Sequence, residues 1–87
     1  MSTTEYRYEI WEDGAAALLA FVVAPDGRET VAGRCMAAID DQWVVALTDG
    51  RGGSAAAFAL DRADALALLD FHAGLLVRLM RAEAVNA

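Results

Sequence analysis

A chain of 87 residues has room for one domain, and a domain of that size buries only about 60–65% of its unfolded surface, so its core is small. The 57% hydrophobic content is swollen by alanine, lysine is absent, and the formal net charge is −6, a balance that excludes nucleic acid and anionic lipid as natural partners. Within the first fifty residues nine acids (Glu5, Glu9, Glu12, Asp13, Asp26, Glu29, Asp40, Asp41, Asp49) face three bases (Arg7, Arg28, Arg34), whereas from residue 51 onward Asp61, Asp64, Asp70 and Glu83 balance Arg51, Arg62, Arg78 and Arg81.

Residues 5–12 alternate, with Tyr6, Tyr8 and Ile10 on one side and Glu5, Arg7, Glu9 and Trp11 on the other, as a half-buried strand does. Glu12-Asp13-Gly14 turns the chain into 16–24, which is apolar on both faces and reads as a central strand. Pro25, preset at the second position, and Gly27, free to take positive φ, mark a turn over Ala24–Arg28. A third strand covers 29–38, where Gly33 signals a bulge or a close backbone approach. Asp40-Asp41-Gln42 turns into a fourth strand over 43–48, and Asp49–Ser54 is a flexible loop before a fifth over 55–60. Asp61 begins a helix over about 61–84, with Asp64 in its first turn and Arg78 and Arg81 in its last turns, as the helix dipole prefers. The expected fold is α+β: one domain over 1–87, a five-stranded antiparallel, meander-like sheet with one C-terminal helix packed on one face.

Leu66, Leu69, Ala73, Leu76, Val77 and Met80 form the stripe that covers a sheet. Leu68, Leu75 and Leu79 widen the apolar arc beyond the ~100° such packing needs. Either a curled sheet wraps the helix, or the chain self-associates through Leu68, His72, Leu75 and Leu79.

Little in the chain points to catalysis. Cys35 sits in a predicted strand with nothing to lower its pKa, and His72 stands alone on an apolar flank, so a packed thiol and a structural histidine are expected. One His and one Cys cannot make a structural zinc site, Asp40-Asp41 lacks the alternating ligands of a calcium loop, and Gly50–Ser54 lacks the ending of a phosphate loop. No cofactor, metal or enzymatic activity is expected. A single cysteine, an N-terminus without the layout of a signal peptide, and a longest apolar run (15–24) too short to span a bilayer together suggest the cytoplasm.

In a meander, alternate turns fall at the same end of the sheet. Glu12, Asp13, Asp40, Asp41, Asp61 and Asp64 would then converge, opposed mainly by Arg62, with Trp11 and Trp43 beside the two acidic turns as interface anchors. Glu5 and Glu9 would add two charges ~13 Å apart along one strand face. In overall character, though not in any motif, such a chain resembles the phage-encoded anti-CRISPR proteins that disable type I interference complexes. That resemblance implies a stoichiometric inhibitor in a bacterial host, whose carboxylates occupy the basic surface that would otherwise hold target DNA. Two other readings stand beside it: a small homodimeric accessory or regulatory protein assembled through its helix, and an antitoxin-like binder of some other basic protein.

Overall fold

The computed structural model describes residues 5–86. Five strands, β1 (Arg7–Glu12), β2 (Ala17–Val23), β3 (Glu29–Ala37), β4 (Trp43–Thr48) and β5 (Ser54–Ala59), form an antiparallel sheet in the order 1-2-3-4-5. One helix, α1 (Arg62–Asn86), packs on one face, and a single 3-10 turn, Ile39–Asp41, joins β3 to β4. The fold is the α+β meander expected, with boundaries shifted by one or two residues at most elements. The helix overruns its predicted end, so Arg78 and Arg81 lie short of the last turn.

The turn over Ala24–Gly27 closes as its residues dictate: the Gly27 N–H donates to the Ala24 carbonyl at 2.8 Å, and Gly27 sits at φ +90°. At its start the helix is capped by Asp61, whose Oδ1 accepts the Asp64 N–H at 2.8 Å, satisfying a donor that has no partner within the first turn.

Gly33 serves both purposes read from it. Ala20 pairs with Gly33 but Phe21 pairs with Val31, so β3 carries one extra residue here. Strict alternation from Ala32 would aim Arg34 and Met36 at the helix; the bulge resets the parity, so Ala32, Gly33 and Cys35 are buried while Arg34 and Met36 face out. A Cβ on Gly33 would lie 2.7 Å from the Ala46 carbonyl oxygen and 2.8 Å from Leu69 Cδ1. The missing side chain lets the helix approach the sheet.

The core lies between sheet and helix: Leu18, Ala20, Val22, Ala32, Cys35, Trp43, Val45 and Ala59 meet Ala65, Leu69, Ala73, Leu76 and Val77. Burying a leucine such as Leu69 fully contributes about 1.5–3 kcal/mol, and many of the other members are alanines that contribute less. Polar ties supplement this thin core along β1, where the Tyr8 hydroxyl donates to Asp70 at 2.7 Å and Arg81 reaches Glu5 and the Tyr6 carbonyl at 2.9 Å each. The hydrogen bond to Asp70 is the main reason the Tyr8 phenol is held above its ordinary pKa.

Candidate functional site: an acidic end of the sheet

The strand order carries the β1–β2 turn, the β3–β4 turn and the start of α1 to one end of the sheet. Hydrogen bonds tie these segments together: the Ala37 N–H donates to the Ala16 carbonyl at 2.9 Å, and Arg62 Nη2 lies 2.5 Å from Glu12 Oε1. Glu12, Asp13, Asp40, Asp41, Asp61 and Asp64 are all exposed at this end.

The six carboxylates are not equivalent. Glu12 is paired with Arg62, and Asp61 is engaged as the helix cap. Among the described residues, Asp13, Asp40, Asp41 and Asp64 have no ion-pair partner, and they form the uncompensated part of the end. Asp40 and Asp41 both sit in the left-handed region, at φ +63° and +62°, a conformation that aspartate tolerates better than most residues with a Cβ.

The two acidic turns are separated by two strand spacings, roughly 10 Å, close to the Debye length of about 8 Å at physiological salt. Their fields therefore add where a partner lies between them and fade quickly beyond. Among the described residues no three acidic, His or Cys side chains gather as a metal site would require. The end displays its charges side by side.

The two tryptophans take different positions. Trp43 is 6% exposed and belongs to the core beneath this end, so it supports the acidic turns from within. Trp11 is 58% exposed on the face of the sheet away from the helix, where its Nε1–H donates to Glu9 at 3.0 Å and its ring lies 5.9 Å from that of Phe21. Glu9 is further occupied by Arg7 at 3.0 Å and Glu5 by Arg81, so those two acids are matched by bases and add little to the field. The opposite end is mixed: Asp49 accepts the Arg51 and Gly53 N–H groups at 2.7 and 2.9 Å, and Arg51 pairs with Glu83.

The flank read as a self-association surface is divided. His72 is half-buried and its Nε2–H donates to the Thr48 carbonyl at 2.6 Å, so it is spent on holding the helix to β4. Leu68, Leu75 and Leu79 remain 38, 43 and 47% exposed, which means that the sheet does not curl far enough to cover them. Cys35 is buried, with its thiol 3.7 Å from the Ala65 carbonyl, and desolvation raises its pKa.

The sequence reading missed the outer sheet face, where Trp11, Val31 and Met36 are exposed around half-buried Leu19, Phe21 and Val44. The signal was present in β2, which is apolar at every position. The α1 helix is not long and apolar enough to cross a membrane. Comparison with protein-family models, with curated proteins and with solved structures finds no match.

Proposed function

We propose that this protein is a non-catalytic acidic inhibitor, acting in the cytoplasm of a bacterial host, that binds a basic, nucleic-acid-binding surface of a partner complex and blocks access of DNA. One observation carries the reading: a 1-2-3-4-5 strand order gathers three acidic segments at one end of the sheet, where Arg62–Glu12 is the one ion pair among the described residues. Basic DNA grooves gain much of their affinity by releasing counterions from phosphates, and a rigid anion competes for the same arginines and lysines. The partner class follows from the charge together with the resemblance in character to anti-CRISPR proteins, which points to a type I interference complex. Association would be fast and strongly salt-dependent, since steering acts through uncompensated surface charge.

The test is retention of target DNA by a purified type I interference complex in a gel-shift titration at low salt. The proposal expects the protein to abolish the shift at stoichiometric amounts, and expects Asp40→Asn with Asp41→Asn to raise the amount required several-fold. DNA retention unaffected by an excess of protein, together with no co-purification of the complex on the immobilised protein, would overturn it.

A further inference from the structure

The two edges of the sheet are built differently. β1 carries Arg7, Glu9 and Glu12, and side chains from α1 reach across to it through the Arg62–Glu12 and Tyr8–Asp70 contacts. Charged residues of this kind keep an edge from pairing with another chain. β5 has none of these guards: Ser54–Ala59 reads SAAAFA, with no charge, proline or bulge. The Asp49 N–H donates to the Gly53 carbonyl, so with the register of β4 and β5 the N–H groups of Ser54, Ala56 and Phe58 point away from the sheet. Alanine is a poor strand former, so three in a row are not there for propensity, and their small side chains leave the backbone open to approach.

The flanks of this edge are apolar. A shallow hollow of about 400 Å³ beside it is lined by Phe58, Leu60, Ala67, Leu68 and Phe71, with Asp64 at its rim. Phe58, Leu60 and Phe71 are 76, 78 and 68% exposed. With aromatic side chains of about 150–250 Å² each, these residues and Leu68 and Leu75 offer roughly 500 Å² of apolar surface. A pair of such surfaces reaches the approximately 1,000 Å² at which a specific interface becomes plausible, before any contribution from the strand edge.

We infer that β5 is the subunit interface of a homodimer, pairing antiparallel with β5 of a second copy about a two-fold axis to make a continuous ten-stranded sheet. A two-fold pairing needs only one self-complementary edge, and β5 is that edge. Charge is compatible with a second copy here: β5 itself is uncharged, Asp64 is the one charged residue lining the adjoining hollow, and antiparallel pairing carries the two acidic ends, Asp64 with them, to opposite poles. The outer sheet face suits a second copy less well. Arg34 stands in its middle, between Leu19 and Ala46 on the neighbouring strands, without an ion-pair partner among the described residues, and face-to-face packing would bury two uncompensated guanidiniums. The dimer does not depend on the inhibitor reading.

Sedimentation equilibrium of the full chain at tens of micromolar tests it, with circular dichroism as a check on folding. The expected mass is twice the 9.2 kDa of the chain. Ala56→Pro removes an outward N–H without touching the β4 ladder, and Phe58→Glu places a charge on an already exposed side chain; each should halve the mass while leaving the spectrum unchanged. A monomeric wild type overturns the inference. So does a dimer that survives either substitution, or one that is split by Met36→Glu on the outer face.

Discussion

Arg62, on the first turn of the helix, places its guanidinium 2.5 Å from Glu12 at the end of β1, and this pair is the only ion pair at the acidic end among the described residues. Both side chains are substantially exposed, so the contact adds well under about 1 kcal/mol to stability. Its larger effect is on the field, because among the described residues Arg62 is the cation that pairs with these carboxylates. Arg62→Ala should lower unfolding stability by less than about 1 kcal/mol in urea denaturation. The same substitution should speed association with a basic partner at low salt, and stopped-flow kinetics across a salt series would show the gain vanish as screening rises.

At the β3–β4 turn, conformation and charge can be separated. Asp40 and Asp41 hold positive φ, which asparagine also accepts, so Asp40→Asn with Asp41→Asn removes two charges while keeping the turn. Thermal stability should stay within about 0.5 kcal/mol of the parent while binding to a basic partner weakens several-fold. Valine at either position should instead destabilise by about 1–2 kcal/mol, because a branched Cβ opposes the left-handed conformation. Chemical denaturation of the two sets of variants distinguishes these effects.

Much of this arrangement was legible in the sequence because turns and parity are local. Pro25 and Gly27 defined one hairpin, Gly33 marked the bulge, and Asp61 announced the helix; once the strands were read as consecutive, the grouping of the acidic tips followed. What depends on distant contacts was not legible. Trp43, Val44 and Val45 are all apolar, so alternation could not say whether Trp43 and Val45 or Val44 faces the helix, and only the pairing with β3 and β5 sends Trp43 inward. Trp11, beside an equally acidic turn, points outward because β1 alternates cleanly. The surplus leucines of α1 showed that something was left over, but not that it would lie on the β5 side, since which strand forms the edge is a property of the whole sheet.

Gly33 carries a sharper prediction about packing. An added methyl would press on the Ala46 carbonyl, which is backbone held in the β3–β4 ladder and cannot swing aside, and on the fully buried Leu69. Gly33→Ala should therefore destabilise by about 1–3 kcal/mol, against the usual small gain from replacing glycine in a strand. If the clash with Leu69 is the main part, Leu69→Val in the same chain should recover some of the loss, and a double-mutant cycle in urea measures that coupling.

The loop between β4 and β5 makes stability depend on pH in a definable direction. Asp49 accepts the backbone N–H groups of Arg51 and Gly53, and these bonds, which favour the charged form, hold its carboxyl below the ordinary range. A carboxyl with a lower pKa folded than unfolded adds stability above its unfolded value, near pH 4, and loses it as the pH falls through the folded value. The melting temperature should thus decline as the pH drops below about 4, and Asp49→Ala should be less stable at neutral pH with a shallower acid dependence. Asp49→Asn separates charge from geometry: its amide oxygen can accept the same two N–H groups, so the loop should survive while the acid dependence contributed by this residue disappears. Thermal melts of the three proteins between pH 2 and 7 decide it, and equal acid slopes in all three would show that the loop is indifferent to the charge of residue 49.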